Sequence, residues 1–150
     1  MTRISTKQLK LHNEALRRLR KDILNLNDKD FIIEHYNEGV ERVISTKGIF
    51  FTPPQLASDF SLEVSGYRVI DLCAGIGMLS YFYWYHGLEP KIAPEKVEIF
   101  CIERNPDFVE IGKKLLPEAT WICADITKPG LLSSIGTFDM AISNPPLGTK

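Results

Sequence analysis

The sequence lacks several features that would place it in specialised protein classes. No apolar run approaches the ~20 residues that a membrane-spanning helix needs. The basic N-terminus has no apolar core of the kind found in secretory signals. Only three cysteines occur, none at C-x-x-C spacing, so neither a metal site nor a disulfide framework is predicted. We therefore expect a cytoplasmic protein with no membrane association and no metal.

Strong net charge is also missing, because 18 basic residues nearly balance 19 acidic ones. The whole molecule is thus not attracted to polyanions by its net charge. The basic residues are unevenly distributed, however: residues 3–21 contain seven Lys or Arg against one acid, Glu14. A basic helix face can contact phosphates, but a solvated helix face is the more common explanation of such a run.

The chain is long enough for one domain with a true core, and its N-terminal part is predicted to be helical. Apolar residues recur at helical spacing over residues 5–26 and again over 29–45. Ser5 or Thr6 is expected to cap the first helix and Asp28 the second. A third helix is predicted over residues 54–64, because Pro54 suits a first helical turn.

From residue 67 the pattern changes to an alternation of strands and helices. Four short apolar, β-branched or aromatic runs predict strands covered on both faces, at residues 67–72, 97–102, 120–124 and 138–142. Helices are predicted between them, at residues 77–86, 106–116 and 129–135. Such alternation indicates an α/β protein with a mostly parallel sheet. The aromatic run at residues 81–85 is expected to pack in the core rather than to stack on bases.

A glycine turn follows the first predicted strand, in the stretch DLCAGIGML at residues 71–79. Gly75 and Gly77 would allow a tight reversal and close approach of a ligand. A purely structural turn remains the alternative. The next two strands end in Glu103 and Asp125, which could accept hydrogen bonds from ribose hydroxyls and an adenine amino group. Glu103 alone would more often be a solvated loop residue.

The run Gly75-x-Gly77-x-x-Ser80 nearly matches the dinucleotide fingerprint G-x-G-x-x-G. Asp71 lies directly behind this turn and would repel a pyrophosphate. A ligand with a cationic amino-acid portion would tolerate the carboxylate. The sequence therefore favours S-adenosylmethionine over a nicotinamide dinucleotide.

The stretch SNPPLG at residues 143–148 follows the fourth predicted strand and completes a set of motifs. FFTPPQLA, DLCAGIGML, CIERN, CADIT and SNPPLG occur in the order and spacing of class I S-adenosylmethionine-dependent methyltransferases. More narrowly, residues 48–149 resemble the N6-adenine DNA methylases that carry an Asn-Pro-Pro-aromatic motif. The resemblance implies a Rossmann-like methyltransferase fold, with strand order 3-2-1-4 as the front half of a larger sheet. It also implies a division into an N-terminal helical segment, residues 1–47, and a cofactor-binding domain, residues 48–150.

The same resemblance implies a role for individual residues. S-adenosylmethionine would be bound by Phe51, Thr52, Asp71, Cys73, Ala74, Gly75, Gly77, Glu103, Arg104, Asp125, Ile126 and Asn144. The catalytic motif would be Asn144, Pro145, Pro146 and Leu147. Thr52 would contact the methionine carboxylate, and Ile126 would lie beside the adenine ring. The Asn144 side-chain oxygen and the Pro145 carbonyl would hold the two N–H groups of the target amine, in a backbone that proline stiffens.

Two departures from the family pattern keep other functions open. Leu147 replaces the aromatic residue that stacks on a flipped base. The chain also ends at Lys150, before the strands that the family places next, so we expect a truncated protein whose strand 138–142 is an exposed edge. DNA is the expected partner, with a second chain as a possible cover for that edge. The alternatives are methyl transfer to RNA or to a protein glutamine, or a non-catalytic remnant that binds the cofactor or a partner.

Overall fold

The computed structural model of the chain describes residues 5–37, 51–87 and 94–145. The residues up to Phe51 belong to one compact unit, and Thr52–Pro145 form a second. The predicted boundary between residues 47 and 48 lies outside the described residues and stays a prediction.

The first unit contains helices α1, Thr6–Leu19, and α2, Leu26–His35. Ser5 caps α1 in a capping box. The Ser5 hydroxyl accepts the Gln8 N–H, and the Gln8 side-chain oxygen accepts the Ser5 N–H. The predicted single helix over residues 5–26 is wrong at its end, because α1 stops at Leu19 and Ile23 is 86% exposed. The apolar spacing that predicted one helix therefore runs across two.

The cap of α2 is Asn25, whose side-chain oxygen accepts the Asp28 N–H at 2.9 Å. The prediction that Asp28 caps this helix is wrong. The Asp28 carboxylate instead lies between the helices and accepts from Lys21 Nζ at 2.7 and 2.8 Å. α2 ends at His35, and residues 36–37 are not helical. The remainder of the predicted helix, residues 38–45, lies outside the described residues.

The second unit is an α/β structure, as predicted. Within the described residues, four strands form one parallel sheet of order β3-β2-β1-β4, which agrees with a Rossmann-like fold. The strands are β1, Arg68–Asp71; β2, Glu98–Glu103; β3, Thr120–Cys123; and β4, Met140–Ile142. Asp71 pairs in register with Cys101 of β2 and Ile142 of β4. The end of β1 is therefore at the centre of the sheet.

One helical segment precedes β1 and the others connect the strands, at nearly the predicted positions. They are α3, Pro54–Ser61; α4, Met78–Phe82, which continues as a π-helical turn over Tyr83–Gly87; a 3₁₀ turn, Pro94–Lys96; α5, Pro106–Leu115; and α6, Leu131–Ile135. Tyr81 and Tyr83 of the aromatic run are fully buried. Their burial agrees with the packing role predicted for this run. No helix in the described ranges is both long and apolar enough to cross a membrane.

Burial differs between the centre and the ends of the sheet. Val69, Ile70 and Asp71 of β1 are buried, whereas Thr120 and Cys123 of β3 are exposed. The prediction of strands covered on both faces thus holds for β1 and is wrong for β3. Strand β4 pairs only with β1 in the part of the chain that the structure describes. It occupies the predicted edge position there.

Candidate ligand-binding site

The chain reverses sharply where β1 ends, through a turn over residues 72–77. The Leu72 N–H donates to the Ile142 carbonyl of β4, and the Ala74 N–H donates to the Ile102 carbonyl of β2, both at 3.0 Å. These bonds attach the turn to both neighbours of β1. The turn is consequently fixed at the carboxyl ends of three strands, the usual ligand position in open α/β sheets.

Glycine is required in this turn for two reasons. Gly75 and Gly77 have φ values of +57° and +92°, in the left-handed region that side chains disfavour. A Cβ on Gly77 would also lie 3.0 Å from the Trp121 ring. The predicted tight turn is confirmed. The group that the structure places close to Gly77 is the Trp121 side chain of β3.

Asp71 is the most deeply buried acid of the site, with 1% of its surface exposed. One oxygen, Oδ2, accepts from Ser80 Oγ at 3.0 Å, while Oδ1 has no hydrogen-bond partner among the described residues. The pKa of this carboxyl is raised to about 7, chiefly by burial and also by the nearby charge of Glu103, against the opposing effect of hydrogen bonds from Ser80 and Cys73. A ligand atom cannot touch Asp71 without local movement, so its influence on a ligand is electrostatic.

Glu103 links the glycine turn to the helix that follows β2. Its Oε2 accepts the Gly75 N–H at 2.9 Å, and its Oε1 accepts the Asn105 N–H at 2.7 Å. Asn105 in turn caps α5 through its side chain. The half-buried carboxylate therefore has a fixed orientation, and each oxygen retains a lone pair for a further donor.

Asp125, which follows β3, is held in a short local turn. Its Oδ1 accepts from the Thr127 N–H at 2.9 Å and the Thr127 hydroxyl at 2.7 Å. These bonds lower the pKa of Asp125, with smaller contributions from the charges of Arg104 and Lys128. Arg104 Nη1 lies 3.8 Å from the other oxygen, Oδ2. Oδ2 is thus the oxygen left for an outside donor.

The three acids converge on one thiol. Cys73 lies half-buried in the turn, and burial raises its pKa. The charges of Asp71, Glu103 and Asp125 each raise it further, while the Ser143 hydroxyl, beyond the end of β4, lowers it. The acids at the ends of β1, β2 and β3 therefore lie near one side chain, and Ser143 beyond the end of β4 contacts the same thiol.

Thr52 and Asn144 meet although they lie far apart in sequence. The Asn144 amide nitrogen donates to Thr52 Oγ1 at 2.9 Å. Thr52 is 7% exposed, whereas Asn144 and Pro145 are exposed. The bond attaches the Asn-Pro motif to the Thr-Pro motif. It leaves the side-chain oxygen of Asn144 and the hydroxyl hydrogen of Thr52 for other partners.

The other predicted site residues have varied positions. Ala74 is buried in the turn, Ile126 is half-buried beside Asp125, and Arg104 is exposed. Phe51 belongs to the first unit, where its ring centroid lies 5.9 Å from that of Tyr36. Pro146 and Leu147 lie outside the described residues, and their predicted roles stay predictions.

Sequence analysis missed Ser80 and Ser143 as site residues. Ser80 occupies the third position of the glycine fingerprint, where that pattern has glycine. A hydroxyl at this position indicates a hydrogen-bond partner next to the turn, which in the structure is Asp71. Ser143 precedes the Asn-Pro-Pro motif and has no comparable signal. Neither the comparison with protein-family models nor that with curated proteins yields a match for this chain. The residues described by the structure contain no group of three or more His, Cys, Asp or Glu that could hold a metal ion.

Proposed function

We propose that this site binds S-adenosylmethionine and that the chain transfers its methyl group to the N6 amine of adenine in DNA. The observation that carries the proposal is the placement of three acids at neighbouring strand ends beside a glycine turn: Asp71 ends β1, Glu103 accepts the Gly75 N–H at 2.9 Å, and Asp125 follows β3. Asp71 adds its negative charge to this region when it is ionised. Such a region attracts a ligand that bears positive charge and repels a pyrophosphate. S-adenosylmethionine has two positive groups, the ammonium and the sulfonium.

The free hydrogen-bonding groups of the site complement those of this ligand. Glu103 and Asp125 each keep acceptor capacity, which suits ribose hydroxyls and an adenine amino group, both donors. Thr52 accepts from Asn144 and keeps its own hydroxyl hydrogen, which suits the ligand's carboxylate. The ribose hydroxyls, the adenine amino group and the carboxylate of the ligand thus each have a partner of the opposite type.

The Asn-Pro motif supplies the groups that act on the methyl acceptor. The bound sulfonium would provide an electrophilic methyl group. The nitrogen of the Asn144 amide is held by Thr52, so its carbonyl oxygen has a defined direction. That oxygen and the Pro145 carbonyl accept the two N–H groups of the target amine, orient its lone pair and stabilise the positive charge that develops on nitrogen.

Binding is tested by titration calorimetry with S-adenosylmethionine and its demethylated product. We expect both to bind, and Glu103→Ala to weaken binding at least tenfold because it frees the glycine turn and removes a ligand acceptor. Glu110→Ala is the matched control, since this exposed residue of α5 forms an ion pair with Lys113 and lies outside the site. Absence of binding at millimolar ligand would refute the proposal.

Catalysis is tested separately, by transfer of a tritiated methyl group to DNA. Asn144→Ala is expected to reduce transfer about 100-fold, the usual loss when one group that stabilises a transition state is removed. RNA and a glutamine-containing protein serve as competing acceptors. Binding without transfer to any acceptor would instead support a non-catalytic binding protein, which is the second candidate because Leu147 cannot stack on a base as an aromatic ring does.

A further inference from the structure

Among the residues that the structure describes, Asp71 is a buried acid without a cationic partner. It ends the central strand β1, and its neighbours are Cys101 and Glu103 of β2, Ile142 of β4, Ser80 of α4 and Cys73 of the turn, whose thiol pKa is raised by burial. Among these, Glu103 alone carries a charge, and that charge is negative. No Lys or Arg in the described ranges forms an ion pair with Asp71.

The hydrogen-bond donors around this carboxyl are all uncharged. Ser80 Oγ donates to Oδ2 at 3.0 Å and accepts from the Cys101 thiol at 3.5 Å. The backbone N–H groups of Cys73 and Ser80 lie close enough to favour the anion, but Oδ1 is buried with no aligned hydrogen-bond partner among the described residues. A carboxylate anion in such surroundings is strongly destabilised relative to the neutral acid, which has a proton to place on Oδ1.

We infer that Asp71 holds a proton while the site is free and releases it to solvent when a cationic ligand binds at the carboxyl end of the sheet. The inference rests on the proposed function, since it assumes a ligand with positive charge beside the glycine turn. The ligand favours the ionised form of Asp71, so its affinity rises with pH until the free protein has itself lost the proton. A neutral ligand gains no such advantage.

The expected size of the effect follows from the surroundings of Asp71. Burial and Glu103 raise its pKa to about 7 in the free protein. A cation within a few ångströms lowers a carboxyl pKa by about 1 to 3. At pH 6.5 the wild-type protein should therefore release roughly 0.5 to 0.8 proton for each ligand bound. The charges of Glu103 and Asp125 act in the same region but are present in every variant compared below.

The experiment is titration calorimetry at pH 6.5 in phosphate, imidazole and Bis-Tris, whose ionisation enthalpies differ. The binding heat of S-adenosylmethionine should vary linearly with buffer ionisation enthalpy and give the proton release. 5′-Methylthioadenosine, which lacks the ammonium and the sulfonium, should release much less. Asp71→Asn should bind without proton release, and the matched control Asp107→Asn, at an exposed site in the first turn of α5, should behave as wild type.

A second measurement follows the free protein, by carbon NMR of aspartate carboxyl groups across pH 4–9. One resonance, absent from Asp71→Asn, should titrate near pH 7. If S-adenosylmethionine binds with a heat independent of buffer, or if Asp71 titrates below pH 5 in the free protein, the inference is overturned and the proposed function stands. If S-adenosylmethionine does not bind, both fall.

Discussion

Gly77 and Gly130 occupy equivalent positions, each immediately before a short helix, with φ values of +92° and +82°. They differ in their surroundings. A Cβ on Gly77 would lie 3.0 Å from the Trp121 ring, whereas one on Gly130 would have no atom of the described residues within 4 Å, apart from its own chain neighbours. Alanine substitutions at the two glycines therefore separate the cost of backbone strain from the cost of steric contact with Trp121.

We expect Gly130→Ala to lower the free energy of unfolding by about 1–2 kcal/mol, the cost of a side chain in left-handed backbone. Gly77→Ala should cost about 1 kcal/mol more, because Trp121 must also move. Urea denaturation followed by circular dichroism measures both. Equal losses of unfolding free energy in the two variants would show that the Trp121 side chain moves away at no cost and does not constrain the turn.

The residue scale also shows what the sequence could not reveal. The acids at the ends of β1, β2 and β3 were predicted from their positions after apolar runs, and the structure brings them together around Cys73. The bond from Asn144 to Thr52 was not predicted, because it joins residues 92 apart and depends on side-chain direction. The burial of Asp71 likewise depends on neighbouring strands, which no local pattern shows.

At the scale of elements, the amino end of β1 is held to β4 by one carboxylate. Asp139 Oδ2 accepts the Tyr67 N–H at 2.8 Å and the Arg68 N–H at 2.9 Å. The Asp139 N–H in turn donates to the Arg68 carbonyl at 2.8 Å. These bonds set the register in which β4, and with it the Asn-Pro motif, extends along β1.

Asp139→Ala should lower the urea midpoint of unfolding, because two backbone N–H groups lose their acceptor. Asp139→Asn should lower it less, since the amide oxygen can still accept. Asp59→Ala provides the control, because Asp59 is also an exposed acid but lies in α3, away from the β1–β4 pair. A midpoint that is unchanged in Asp139→Ala would mean that the strand pairing of β1 and β4 suffices to fix the register.

Element types were predictable from the sequence, whereas several boundaries were not. Strands β1 to β4 coincide with the four apolar runs because period and residue type are local properties. The error over residues 20–26 arose because Leu19, Ile23 and Leu26 fall at helical spacing by chance. The cap at Asn25 decides the break, and its bond to the Asp28 N–H is visible only in three dimensions.

At the scale of the whole molecule, the order β3-β2-β1-β4 followed from the resemblance of the motifs and not from the composition of the strands. Alternating strands and helices predict parallel pairing but leave several orders possible. The order matters for function, because it makes β1 central and brings the ends of β2 and β4 to either side of Asp71. A negative region at the centre of the sheet is thus a property of topology.

This topology should give the protein an unusual dependence of stability on pH. The pKa of Asp139 is lowered by backbone N–H groups, so its contribution to stability is present above the unfolded value of 3.8 and is lost in stronger acid. Asp71 acts in the opposite direction, since its pKa is raised from 3.8 to about 7. Its contribution is complete below pH 3.8 and is lost as the pH rises towards 7.

Asp71 by itself should therefore lower wild-type stability between pH 4 and 7, by at most about 1.4 kcal/mol per pH unit. Asp71→Asn removes the titration while keeping the shape of the side chain, so its stability relative to wild type should increase across the same range and level off above pH 7. Urea denaturation at unit intervals from pH 4 to 8 measures the difference, with Asp107→Asn expected to run parallel to wild type. Parallel curves for Asp71→Asn and wild type would show that Asp71 is ionised in the folded protein throughout, and that the buried site tolerates its full negative charge.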